Sequence, residues 1–167
     1  MKLSVNDFGR EELAEVIMEN EKKTEREKMT AGELFFTNDT QLMEDKKHTR
    51  ILCAQFNNSP EDEAVRISLL KTLFGQCGER IAVKPPFHCD YGYNIFLGED
   101  FFMNFDCVFL DAAPIRIGAH CMIGPKTCIY AIGHSLDAES RREKIGIPKQ
   151  VTIGDNVWIG GGVTIRS

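Results

Sequence analysis

The chain lacks any basic excess: 20 Lys and Arg stand against 25 Asp and Glu, for a formal net charge of −5. That balance argues against a nucleic-acid backbone as the main partner, because nothing is available to displace its counterions. No apolar run approaches the roughly 20 residues that cross a bilayer, and no apolar stretch of the signal-peptide kind follows Met1–Asn6. No membrane is expected as a partner, and a cytoplasmic location is the default. The six cysteines (Cys53, Cys77, Cys89, Cys107, Cys121, Cys128) contain no C-x-x-C pair and match no zinc spacing. Several sit among Ile, Val and Phe, where a free thiol acts as a small hydrophobe. Buried, reduced cysteines are therefore expected, with no disulfide framework and no metal. With 167 residues, the chain has room for one sizeable core and a small appendage.

Residues 1–80 read as a helical region. Asn6-Asp7 can cap a segment carrying Leu13, Val16, Ile17 and Met18, and Thr24–Phe36 forms a second amphipathic stretch. Asp39-Thr40 opens a third, with Leu42, Ile51, Leu52, Ala54 and Phe56 as its apolar positions. Ser59 suits an N-cap and Pro60 the first helical position of a fourth, in which Ile67, Leu69, Leu70, Leu73 and Phe74 recur before Gly75.

From about Ile81 helical periodicity gives way to a spacing of six. Leu97, Met103 and Phe109 form one run, Ile117, Ile123 and Ile129 a second, and Ile153, Ile159 and Ile165 a third. Glycine often follows the lead residue, where it is expected to relax the backbone at a corner. Four residues after a lead comes a second inward candidate: Phe101, Cys107, Cys121, Thr127, Val157 or Val163. This is the signature of a parallel β-helix, here of about three coils, since each six-residue unit supplies one short strand and one turn. An antiparallel β domain would instead show period-two alternation and hairpin turns.

Residues 131–150, AIGHSLDAESRREKIGIPKQ, interrupt the repeat. A long excursion from a solenoid commonly forms one wall of a site, and this one carries His134. Taken with FHCDYGYNIFLGEDFFMNF at Phe87–Phe105, PIRIG at Pro114–Gly118, VTIGDNVWIGGG at Val151–Gly162 and KMTAGELF at Lys28–Phe35, the chain resembles the maltose and galactoside O-acetyltransferases, most of all the maltose type. The resemblance implies a mainly β, left-handed parallel β-helix with an N-terminal helical segment. It also implies a homotrimer with active sites between neighbouring subunits, and transfer of acetyl from acetyl-CoA to a sugar hydroxyl. His134 falls on the family's catalytic histidine, and Asp90, Phe102 and Asn104, with Asp111 close by, on acceptor positions. Trp158 falls on its coenzyme-A-facing tryptophan, and Gly160 follows it as a cofactor-side position.

Chemistry supports these roles independently. A sugar hydroxyl is a poor nucleophile near neutral pH, so attack on a thioester needs a base, and imidazole suits that duty. Direct attack needs no protein nucleophile. Asp90 and Asn104 can orient hydroxyls, and the oxyanion requires a backbone or side-chain N–H donor. Trp158 precedes a lead position and so faces outward, as a contact surface for coenzyme A or another subunit.

Two departures stand out. Ser135 follows His134 where the family usually has Pro, and Ala112 removes one possible acceptor contact, so sugar preference does not carry over. The segment 81–167 is also expected to lack the C-terminal coils that build much of the family's coenzyme A groove. The alternative function is therefore a catalytically impaired trimeric binding module. A metal-dependent hydratase of the same fold would need three histidines that the coiled half does not supply in the required pairing.

Overall fold

The computed structural model describes residues 23–166, so the helix expected across Asn6–Met18 lies outside the described residues. Helix α1 (Glu25–Ala31) opens with a reciprocal capping box between Thr24 and Glu27 and ends at Gly32, whose φ of 82° and amide bonds to Lys28 and Met29 carbonyls close it. Because the helix stops there, Phe35–Phe36 form a short strand, β1, in place of the expected helical continuation. Helix α2 (Thr40–Asn57) is capped by Asp39, which accepts from the Leu42 amide at 3.1 Å. Its buried stripe is Leu42, Thr49, Cys53 and Phe56; Ile51, expected in that stripe, is exposed. Helix α3 (Glu63–Leu73) is capped by Asp62. Ser59 serves the preceding helix instead, its hydroxyl donating to the Phe56 carbonyl at 2.7 Å. No described helix is long and apolar enough to cross a membrane.

The remainder coils. Strands β2 (Ile81–Val83), β3 (Phe87–Cys89), β4 (Ile95–Leu97), β5 (Phe101–Met103), β6 (Cys107–Leu110), β7 (Ile115–Ile117), β8 (Met122–Ile123) and β9 (Cys128–Tyr130) are followed by the excursion. Strands β12 (Val151–Ile153), β13 (Trp158–Ile159) and β14 (Thr164–Arg166) resume the coil. Three parallel sheets result, ordered β12-β7-β4, β13-β8-β5-β2 and β14-β9-β6-β3, the three faces of a left-handed parallel β-helix. Partners in successive coils lie 20 residues apart, as in Ile81↔Phe101, Phe87↔Cys107 and Ile95↔Ile115. Across the excursion the step becomes 36, as in Met122↔Trp158.

Inside, like positions stack on like. Val83, Met103, Ile123 and Ile159 form one inward column, and Cys89, Phe109, Ile129 and Ile165 another. A fourth rung precedes the three legible runs: Gln76 bridges Phe96, and Cys77, Val83 and Cys89 occupy its six-residue positions. Helices α2 and α3 close that end. Cys53, Phe56, Leu70, Leu73 and Phe74 join the coil core, with the Phe74, Phe87 and Phe109 rings meeting edge to face at 5.6 and 5.4 Å. The apolar end of the solenoid is thus covered.

The corner glycines do a different job from the one expected. Those at 98, 118 and 124 have no positive φ; a Cβ on each would stand 2.2–2.5 Å from the nearest atom of the coil above. They are small because successive corners stack closely. The left-handed turn conformation falls instead on Asp100, Asp106, His120, Lys126 and Asn156, with φ of 52–60°. Gly118→Ala should therefore destabilise the protein by about 1–3 kcal/mol through overpacking against the Gly154–Asp155 backbone. Lys126→Gly should stay within about 1 kcal/mol of wild type, since relief of the left-handed conformation offsets greater chain freedom. Urea unfolding of the two variants checks both expectations.

Candidate active site

The excursion folds as strand β10 (Ile132–Gly133), a short helix α4 (Ala138–Arg142) and strand β11 (Ile145–Pro148). Strand β11 pairs antiparallel with β10 on one side and with β1 of the helical cap on the other. Phe35 is 1% exposed beneath Gly146, where a Cβ would stand 2.5 Å from its ring. Thr37 reinforces the join: its amide and hydroxyl both donate to the Lys144 carbonyl, each at 2.9 Å. The wall carrying His134 is therefore sheet, fastened to a segment 110 positions earlier.

The His134 ring is exposed, and its Nδ1 stands 3.1 Å from the Ile145 carbonyl oxygen on β11. A carbonyl only accepts, so Nδ1 carries a hydrogen, and in the neutral ring Nε2 holds the lone pair. The ring borders a hollow of about 450 Å³ lined by Thr37, His134, Ala138, Arg141, Arg142 and Lys144. Arg141 donates from Nη1 to the Ser135 and Leu136 carbonyls at 2.9 and 2.7 Å, which fixes the backbone just after His134. Thr37, Arg141 and Lys144 have no signal in the sequence beyond their places in the excursion and beside β1.

Near the same corner lies a buried knot. Asp111, at the end of β6, accepts through Oδ1 from the amides of Asp90 (3.0 Å) and Tyr91 (2.9 Å). Asn94 donates to the carbonyls of Asp111 and Ala112, and Thr49 donates to that of Tyr91. Asp111 is 0% exposed, so it lies under the surface in this chain and not against an acceptor as the sequence suggested. Burial pushes its carboxyl up to about 7, reinforced by the nearby Asp90 charge and opposed by the amide bonds; Oδ2 has no hydrogen-bond partner. What reaches the surface is the Asp90 side chain, 3.5 Å from the Lys46 ammonium.

The other candidates stand on a different part of the prism. Phe102 and Trp158 project outward in one row of the β2-β5-β8-β13 face, with Met122 between them. Trp158 is 77% exposed, and Met122 and Phe105 about half. Asn104 ends β5, its amide oxygen accepting from the Phe105 amide at 2.9 Å. Gly160 follows β13, its carbonyl accepting from the Thr127 hydroxyl at 3.2 Å. One chain thus places His134 on the excursion and Phe102, Asn104, Trp158 and Gly160 along a separate face. His48, His88 and His120 are exposed, and among the described residues no group of three or more His, Cys, Asp or Glu could hold a metal ion.

Comparison with known proteins decides the family. Residues 28–78 match the maltose acetyltransferase hexapeptide capping motif. The chain is 44% identical over 144 residues to a Dictyostelium discoideum protein named as an acetyltransferase, covering 86% of this chain and 75% of that one. It is 35% identical to the galactoside O-acetyltransferase of Escherichia coli K12, covering 84% and 70%. Among solved structures, a maltose O-acetyltransferase from Clostridium difficile 630 superposes with a TM-score of 0.84 at 46% identity, covering 86% and 78%. A Vibrio cholerae hexapeptide-repeat acetyltransferase in complex with acetyl coenzyme A gives 0.80 at 41%, covering 87% and 79%. The chain belongs to the maltose and galactoside O-acetyltransferase family. The match to the capping motif falls on the α1–α3 segment together with β1 and the start of the coil, the region that both closes the solenoid and pins the His134 wall.

The buried Asp111 makes stability pH-dependent. Its folded-state pKa, near 7, is raised above the unfolded value near 4, so between those values the folded state holds the extra proton and stability falls as pH rises. Thermal melts from pH 5 to 8 should show that decline in wild type and a flatter profile in Asp111→Asn, which keeps an oxygen for the two amides but does not titrate.

Proposed function

We propose that this protein transfers acetyl from acetyl-CoA to a sugar hydroxyl, with Nε2 of His134 as general base. The observation that carries the reading is the bond between His134 Nδ1 and the Ile145 carbonyl, which favours the neutral tautomer a base needs at the edge of the hollow. The acceptor hydroxyl attacks the thioester carbonyl carbon while its proton passes to Nε2. The tetrahedral intermediate then collapses, the C–S bond breaks, and the imidazolium returns that proton to the departing thiolate of coenzyme A. No protein nucleophile takes part, consistent with Cys107 and Cys121 directing their sulfurs at backbone carbonyls inside the coil.

The acceptor lies against Asp90 and Thr37 beside His134. Asn104 and Phe102 complete its pocket from a neighbouring copy in a homotrimer. Trp158 and Gly160 flank the pantetheine and nucleotide of the donor. The separation of the two residue groups within one chain supports this assembly, because only a second copy can bring the apolar row of Phe102, Met122 and Trp158 up to a His134 corner. Burial of that row, with Trp158 as its anchor, would help hold the copies together. The excursion wall fits an acceptor of monosaccharide or disaccharide size, given a hollow of about 450 Å³ open to solvent on one side.

Release of free coenzyme A, followed with a thiol reagent across a panel of sugars, tests the reading. Wild type should turn over at least one acceptor. His134→Ala should lose about 10²–10⁴ in kcat while binding acetyl-CoA as before. Equal activity in both proteins removes His134 from its role. No turnover with any sugar, together with retained sugar or acetyl-CoA binding, identifies a binding module instead.

A further inference from the structure

Two thiols that acetyl transfer does not use meet beneath the acceptor side of the site. Cys53, in the fourth turn of helix α2, places its Sγ 3.7 Å from the Sγ of Cys89, the last residue of β3. This is van der Waals contact between two sulfurs 36 residues apart in sequence, one on the helical cap and one on the first coil. Cys53 is 4% exposed and Cys89 half-buried. Around them, Asn57 fastens the same two elements, its side chain accepting from the Phe87 amide and donating to the Phe87 carbonyl at 2.8 and 3.0 Å. The sulfurs are therefore held together by a rigid junction and not by chance proximity of mobile loops. The remaining cysteines differ in setting: Cys107 and Cys121 bond to backbone carbonyls, and Cys77 sits elsewhere in the first coil.

The pair is also differentiated. The shared proton favours Cys53 as the thiolate, lowering its pKa, while the same bond, burial and the nearby Asp111 carboxyl hold Cys89 in the thiol form. A thiolate in contact with a neighbouring sulfur is the arrangement that intramolecular thiol–disulfide exchange requires.

We propose that Cys53 and Cys89 are an oxidisable dithiol whose disulfide ties the helical cap to the first coil. The oxidant is a low-molecular-weight disulfide of the glutathione class. The sulfur of Cys89, the less buried of the two, attacks it while the Cys53 thiolate takes up the Cys89 proton, giving a mixed disulfide and one released glutathione thiolate. Cys53 then gives its proton to that thiolate and attacks the Cys89 sulfur of the mixed disulfide, forming the Cys53–Cys89 bond and releasing the second glutathione. Two protein thiols are oxidised by two electrons, and one glutathione disulfide is reduced to two thiols. Closing the gap needs an approach of about 1.7 Å, from contact distance to a bond of about 2.05 Å. Because Cys89 directly precedes Asp90, whose amide is anchored on Asp111, the bond forms one residue from a surface side chain of the candidate site. Cross-linking across 36 residues removes freedom from the unfolded chain and raises the melting temperature.

The test uses the whole chain and does not depend on its catalytic activity. Protein is equilibrated in mixtures of reduced and oxidised glutathione, free thiols are alkylated, and unreduced digests are mapped by mass spectrometry. The expected result is a Cys53–Cys89 linked peptide, 2 Da lighter than the sum of the reduced peptides, with the other four of the six cysteines alkylated. A melting temperature that rises with oxidation in wild type, and does not in Cys53→Ser or Cys89→Ser, accompanies it. Should either serine variant fold poorly under reducing conditions, Cys53→Ala and Cys89→Val serve the same purpose, and the wild-type peptide map decides by itself. Alkylation of all six thiols even in fully oxidised glutathione overturns the proposal. So does a linked peptide joining any other pair, or a stable glutathione adduct at Cys89 that Cys53 never resolves.

Discussion

Everything in this molecule depends on the coil closing on itself every 20 residues. Each short strand then finds its hydrogen-bond partners in the coil before and the coil after, as Phe102 does between Ala82 and Met122. No described strand exceeds four residues, too few to be stable in isolation, so pairing along the stack is what holds them. The requirement is severe at the corners. Backbones pass so closely above the glycines at 98, 118 and 124 that a single methyl group would collide with the next coil. The prism is narrow for the same reason, and its interior is filled by one column of Ile, Leu, Val, Met, Phe and Cys per sheet position.

A solenoid of this kind has nowhere to place a catalytic group except on its outside, because its interior is packed with apolar side chains. The excursion after β9 solves that problem by leaving the coil for one complete hairpin and returning in register, so that Val151 still meets Ile115. A hairpin of this length would be a mobile flap if it were alone. Its edge is instead continued by Phe35–Phe36, which brings the helical cap into the same sheet. The cap thus has two duties: α2 and α3 cover the apolar end of the coil, while α1 and β1 fix the position of His134. The second apolar cluster, Met29, Phe35, Leu42, Tyr91 and Ala112 with Ile132 against it, is where those duties meet.

How much of this was legible in sequence follows from the range of each interaction. Runs such as Ile117, Ile123 and Ile129 announce the coil because the repeat is local and written in aliphatic residues. The first rung escaped notice because its lead positions are Cys77, Val83 and Cys89, without a following glycine. The Phe35–Phe36 strand was unreadable, since its partner lies at Ile145–Gly146 and local periodicity extended the helix instead. Glycines after lead residues are legible as important but not for the right reason: at 98, 118 and 124 crowding from the next coil, not freedom of φ, demands them. Asp90, Phe102, Asn104, Trp158 and His134 were reached through motif resemblance. No spacing rule distinguishes Asp111, whose carboxylate turns inward to serve two amides of the preceding coil, from an aspartate facing a ligand.

That inward aspartate shows how the fold balances opposing demands. At the turn after β3 the Asp90 and Tyr91 amides point into the body of the protein, where unpaired N–H groups are costly. One carboxyl oxygen satisfies both, at the expense of a second oxygen left without a partner and a proton affinity raised by burial. An asparagine would serve the amides but bring two donors into the same dry pocket, and an alanine would leave the Tyr91 amide without this partner. The same economy of backbone groups fixes the histidine. Ile145, as a strand residue, has one carbonyl that the hairpin ladder does not consume, and that oxygen selects the His134 tautomer. The tautomer of the neutral His134 ring, the proposed base, therefore follows from strand register in β11, which is paired with β10 on one side and β1 on the other. Chemistry at the surface is a consequence of how two distant segments of backbone satisfy each other.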